Sequence, residues 1–132
     1  MSKSDSTELL SPSDLRRFAS EICAGDPEIF SELIGDCQND IDYQFEKLRE
    51  ARKSSSWKDF SRAAHSIKSA ARTFGSPLVK QLSFDLEKSS SNGADEIDVA
   101  AIDARTKELA SACDAFKAKL QEAADAPESF LS

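Results

Sequence analysis

Residues 57–74 read WKDFSRAAHSIKSAARTF, and the spacing of apolar residues in this stretch decides the fold class. At about 100° per residue, with His65 as zero, Phe60, Ala63, Ile67, Ala71 and Phe74 fall between roughly 160° and 240°. On the same count Ser61, Arg62, Lys68, Ser69 and Arg72 lie within about 60° of His65. One side of a helix over about residues 57–73 is therefore apolar and core-facing. The other is polar, basic and wet, and it carries His65. The serine run at residues 54–56 supplies a cap before this helix, and Gly75, Ser76 and Pro77 end it.

The same periodicity extends outward in both directions. Upstream, Ser11, Pro12 and Asp14 mark the start of a helix bearing Leu15, Phe18, Ala19, Ile22 and Cys23 at i, i+3, i+4, i+7 and i+8. Gly25 stops it, Asp26 caps the next helix and Pro27 opens it. That helix is long, with Phe30, Leu33, Ile34, Cys37, Ile41, Phe45 and Leu48 on one side. Downstream, Leu78, Val79, Leu82 and Leu86 mark a fourth helix, which turn-forming residues 89–93 end. A last helix over about residues 95–124 puts Leu109, Ala112, Cys113, Phe116 and Leu120 on one face. The expected fold is all-α: an antiparallel up-and-down four-helix bundle with an additional short N-terminal helix. It is expected over residues 11–125, with flexible tails at 1–10 and 126–132.

Totals fit this reading. A chain of 132 residues with 39% hydrophobic content suffices for one core. Four Gly and four Pro are few for a sheet built on tight turns. A net charge of −7 argues against a nucleic-acid or anionic-membrane surface, which needs a cationic footprint. No apolar run approaches the ~20 residues of a membrane span, and residues 1–10 lack the order of a signal peptide, so a cytoplasmic location is expected. Cys23, Cys37 and Cys113 are odd in number and each lies on an apolar stripe, which suits buried free thiols in a reducing compartment. One histidine leaves little for a Cys/His zinc site, and no metal is expected.

The basic face around His65 admits two readings. An amphipathic helix must put something on its wet side, and a surface histidine among solvated charges is the plainer one. The sharper one is chemical: a neutral imidazole is a competent nucleophile near pH 7, and an exposed one is open to a large phosphoryl donor. Lys68 and Arg72 then balance phosphoryl charge, as cations do in phosphoryl-transfer sites. Ser61 and Ser69, at i−4 and i+4, leave the ring uncrowded.

A family resemblance separates these readings. Residues 64–87, AHSIKSAARTFGSPLVKQLSFDLE, resemble the signature of histidine-containing phosphotransfer (HPt) domains: Ala-His-x-hydrophobic-Lys-Gly-small-small, then hydrophobic-Gly, then Leu-Glu or Leu-Gln. Ala64, His65, Ile67, Lys68, Ala70, Ala71, Phe74, Gly75, Leu82, Leu86 and Glu87 fit without a gap. The lead-in at residues 57–60 and the helix order extend the likeness to most of the chain at lower specificity. The resemblance implies that His65 takes a phosphoryl group from a receiver-domain aspartate and returns it to another receiver, with Lys68 stabilising phosphohistidine. Glu87 matches a position near the site; since a carboxylate repels phosphate, its place there makes sense only if it orients His65 or Lys68. Ser69 departs from the pattern, standing where the family usually has Gly, and so bears on transfer rate and partner range. Which imidazole nitrogen reacts depends on what the other one bonds.

Neither a Gly-rich phosphate loop nor an Asp/Asn magnesium constellation stands out, so the expected role is a phosphocarrier without kinase activity of its own. No cofactor is expected in this chain; Mg²⁺ belongs to the partner receiver. The expected partners are receiver domains of response regulators or hybrid histidine kinases, with no nucleic acid and no membrane, and a monomer is the expected state. A histidine-kinase dimerisation domain also presents a helical His, but an acidic residue usually follows it and a Pro soon after; here Ser66 follows and Pro77 is distant. A different class remains: a helical module that docks on and sequesters receivers without transfer. Tyr43, Trp57 and Phe84 are read as packing residues rather than docking ones.

Overall fold

The helices begin where the sequence supplies capping groups. In the computed structural model, which describes residues 7–91 and 96–131, the Ser11 hydroxyl accepts from the Asp14 N–H at 3.3 Å ahead of α1 (Pro12–Glu21). The Asp26 carboxylate accepts from the N–H groups of Glu28 and Ile29, at 2.9 and 3.4 Å, ahead of α2 (Pro27–Lys53). Each satisfies donors that a helix start leaves unpaired. Ser56 precedes α3 (Trp57–Phe74) but makes no side-chain cap; its hydroxyl donates instead to Asp59 Oδ2 at 2.9 Å. The remaining helices are α4 (Pro77–Ser91), α5 (Val99–Asp125) and α6 (Glu128–Leu131), and there is no strand among the described residues.

Helices α2, α3, α4 and α5 form a closed ring of neighbours, each packed against the next, with α1 on α3 and α6 on α1. Cross-helix bonds fix the directions. Arg52, late in α2, grips Asp103, early in α5, through two bonds of 2.7 and 3.0 Å. Gln38, early in α2, donates to the Lys117 carbonyl, late in α5, at 3.0 Å. The expected antiparallel bundle is the observed one. Its interior holds Phe30, Phe60 and Phe116 with Ile34, Ile41, Leu48, Ile67, Leu86, Leu109 and Leu120. All five apolar residues assigned to the core side of α3 are buried, as are the three free cysteines.

Several details differ from the sequence expectations. In α4 the buried residues are Val79, Ser83, Leu86 and Ser90, while Leu78 and Leu82 are half-buried. The Ser90 hydroxyl is satisfied one turn back, its Oγ reaching the Leu86 carbonyl at 2.7 Å, whereas the Ser83 hydroxyl is buried without a hydrogen-bond partner among the described residues. Ile22 is 62% exposed because α1 has already ended at Glu21. The segments expected as tails carry contacts: the Leu78 N–H donates to the Glu8 carbonyl at 2.9 Å, Leu9 and Leu10 pack on the core, and Phe130 of α6 stacks on Phe30 with ring centroids 6.1 Å apart. Residues 1–6 and 132 of those tails, and 92–95 of the loop expected at 89–93, lie outside the described residues; residues 89–91 are still helical. Finally, Trp57 packs edge-on against Phe60, but Tyr43 and Phe84 are 58% and 38% exposed and do not fill the core.

Among the described residues no helix is long and apolar enough to cross a membrane.

Candidate functional site

Burial of the opposite side of α3 determines where His65 points. Ala64 and Ile67, on either side of it in sequence, are fully buried, so the intervening turn presents the imidazole outward with its side chain 56% exposed. The neighbouring helix α4 runs antiparallel, and its Glu87 reaches across to the ring. Two serine contacts tie the two helices together one turn away, Ser61 Oγ lying 3.4 Å from the Glu87 carbonyl and 3.1 Å from Ser91 Oγ, while within α4 Ser91 Oγ donates to that same carbonyl at 2.6 Å.

His65 Nδ1 lies 2.9 Å from Glu87 Oε2, and Lys68 Nζ lies 2.8 Å from Glu87 Oε1. One carboxylate thus bridges the histidine and the lysine. Glu87 and Lys68 are mostly covered, 23% and 19% exposed, while the ring they support is open. Burial pushes the Glu87 carboxyl up, but the hydrogen bonds from Lys68 and His65, with the Lys68 charge, outweigh it and hold the group below its usual value. An ionised carboxylate only accepts hydrogen bonds, so the hydrogen between these atoms sits on Nδ1. The neutral ring then has its lone pair on Nε2, the nitrogen without a protein partner among the described residues.

The other residues singled out from the sequence divide by position. Ser69 is half-buried and shares with His65 a groove of about 480 Å³ between α2 and α3, bordered by Asp36 and Asp40 on the α2 side. Arg72 is exposed, one turn further along, and has no ion pair among the described residues. It is outside the His65, Lys68 and Glu87 network. Sequence reasoning missed Phe84, which it took for a packing residue. The Phe84 ring has Lys68 Nζ at 5.2 Å and Lys88 Nζ at 5.4 Å from its centroid. A signal was present: Phe84 precedes Glu87 by three residues and Lys88 by four, so all three share one side of α4.

The arrangement is an open surface site rather than an enclosed pocket: it leaves one ring nitrogen of His65 without a protein partner among the described residues, fixes the other, and keeps the supporting carboxylate paired with a cation. The family model described as Hpt domain matches residues 30–126, which take in most of α2 and all of α3, α4 and α5 and leave α1 and α6 outside. No curated protein and no solved structure matches the chain.

Proposed function

Because the chain belongs to the Hpt domain family, and so serves histidine phosphotransfer in phosphorelays, we propose that His65 accepts a phosphoryl group from the aspartyl phosphate of one receiver domain and hands it to the aspartate of another. The observation that carries this reading is the hydrogen bond of His65 Nδ1 to Glu87, which leaves Nε2 free and outward. Nε2 attacks phosphorus, the acyl phosphate P–O bond breaks, and its electron pair returns to the receiver carboxylate. The ring becomes cationic, and Glu87 stabilises its Nδ1 proton. In the second transfer a receiver carboxylate attacks, the P–Nε2 bond breaks, and the ring returns to its neutral state.

Lys68 makes a carboxylate tolerable beside phosphate, because it neutralises Glu87 from the side away from the ring. Arg72 contributes only long-range positive charge on this face. The acidic pocket and Mg²⁺ belong to the receiver, and this chain supplies the positioned nucleophile. The chain acts in the cytoplasm as a monomer.

The test is to mix the chain with a receiver domain carrying labelled aspartyl phosphate and follow the label. Acid-labile label should appear on the wild type and not on His65→Ala. Equal labelling of both, or none on either, overturns the carrier reading; tight binding without labelling favours a sequestering module. Ser69→Gly should transfer at the wild-type rate if Ser69 only conserves space beside the ring. A large loss would assign its hydroxyl a part in transfer.

A further inference from the structure

Phe84 is too exposed to be explained by the core, and its surroundings are not those of a stray surface ring. It stands one helical turn before Glu87 on α4, with Lys68 Nζ at 5.2 Å and Lys88 Nζ at 5.4 Å from its centroid. Both distances are within the reach of attraction between an ammonium and the negative face of a ring. The two lysines are not equivalent. Lys68 is 19% exposed and bonded to Glu87 Oε1 at 2.8 Å, whereas Lys88 is exposed and has no ion pair among the described residues. Lys68 is thus held by a carboxylate and an aromatic face from the same helix. A lysine has four rotatable bonds and a strongly hydrated head, so a carboxylate alone holds it loosely at a surface.

We propose that Phe84 is a positioning residue: its ring keeps the Lys68 ammonium on Glu87, and so sets how strongly Glu87 pulls on the Nδ1 proton of phosphorylated His65. The inference rests on the reading of His65 as the phosphorylated residue. The consequence concerns the lifetime of the phosphoryl group. When water attacks phosphorus, the P–Nε2 bond breaks with its electron pair going to the ring, and a ring protonated on Nδ1 is the better leaving group. A Glu87 deprived of its lysine favours that protonated ring and shortens the lifetime. A Glu87 held neutralised lengthens it.

Potassium phosphoramidate loads exposed histidine without any receiver: Nε2 attacks phosphorus, the donor P–N bond breaks, and ammonia leaves. After loading, the hydrolysis rate of phosphohistidine should rise about two- to fivefold in Phe84→Leu, the range that a surface cation–ring contact allows. Phe84→Tyr should restore the wild-type rate. In a Lys68→Met background Phe84→Leu should add nothing, because the ring acts only through that lysine. In the unphosphorylated protein the Lys68 Hε protons should show an upfield ring-current shift by NMR that Phe84→Leu removes.

The inference is overturned by Lys68 Hε shifts at their random-coil position, by equal lifetimes in wild type and Phe84→Leu, by Leu and Tyr variants that behave alike, or by an undiminished effect in the Lys68→Met background. Failure of phosphoramidate to load His65 overturns it too, since it requires an accessible Nε2. If phosphoramidate loads His65 but no receiver does, the carrier reading fails, and the lifetimes still decide the role of Phe84.

Discussion

Glu87 is where the chemistry of single residues can be tested most directly, because its two oxygens serve different partners. Removing it in Glu87→Ala leaves Nδ1 without an acceptor and Lys68 without its ion pair. The neutral ring should shift toward the Nε2–H tautomer, seen in long-range ¹H–¹⁵N spectra, and phosphotransfer should fall roughly tenfold, in line with losing a hydrogen bond to a charged group. Glu87→Gln keeps an oxygen for Nδ1 and should lose less. The lowered pKa of Glu87 also fixes a pH dependence. An unfolded chain titrates near the ordinary Glu value of about 4.3, and the folded chain titrates lower. The bridge therefore stabilises the fold fully above that ordinary value, and this contribution is lost as pH falls through the lower folded one. The stability gap between wild type and Glu87→Gln in urea unfolding should be constant at neutral pH and close only below about pH 4. A gap that closes already at pH 6 would contradict the bridge. Helical arithmetic on α3 alone placed His65 and Lys68 correctly, but it could not bring Glu87 to them. That contact depends on the register of α4 against α3, which is tertiary.

At the scale of elements, the turn between α3 and α4 sets this register, and Gly75 is its constrained point. Its φ of +90° is left-handed, and a Cβ there would lie 2.9 Å from Asp14 Cβ and 3.2 Å from the Ser11 carbonyl oxygen. The turn therefore has α1 pressed against it, a contact strengthened by the Ser11 N–H donating to the Gly75 carbonyl at 2.7 Å. Gly75→Ala should destabilise the protein by on the order of 1–3 kcal/mol from backbone strain, with displacement of α1 adding to it. Gly35 is the control: it lies inside α2 with nothing within 4 Å of a built Cβ. Gly35→Ala should stabilise by roughly 0.5–1 kcal/mol through helix propensity. Urea midpoints that move in the same direction for both would refute this account. The starts of α1 and α2 and the end of α3 were legible in sequence, because Ser11-Pro12, Asp26-Pro27 and Gly75 act locally. The buried side of α4 was less so. Counting hydrophobic residues favoured Leu78 and Leu82, whereas the bundle buries Ser83 and Ser90. The short α6 was missed for a related reason: four residues carry no periodicity, and its order comes from Phe130 against Phe30 and Arg16.

The whole bundle acts as one unit, since His65 and Glu87 come from different helices whose register the common core maintains. The buried thiols give a way to measure how firmly. Burial, first of all, pushes Cys37 and Cys113 up to about 12, with nearby Asp40 adding to the effect on Cys37 and Asp114 and Asp42 to that on Cys113, where Lys117 partly opposes it. Thiolate is the reactive form, so at pH 8 almost none is present in the folded chain, whereas an unfolded cysteine titrates near 8.5. Labelling by an aromatic disulfide reagent should therefore be slow in the native protein and immediate in concentrated urea. The native rate should follow opening of the core rather than reagent concentration once reagent is in excess. The two sites are not equivalent in position: Cys37 borders the groove that contains His65 and Ser69, and Cys113 borders the far groove between α2 and α5. If the core opens only as a unit, both should label together, and Phe116→Ala, which removes a fully buried ring at a cost of about 3–5 kcal/mol, should speed both equally. If α2 parts locally from α3, Cys37 labels first. The network around His65 would then be dynamic, and phosphotransfer would be more sensitive than global stability to mutations in the α2–α3 seam.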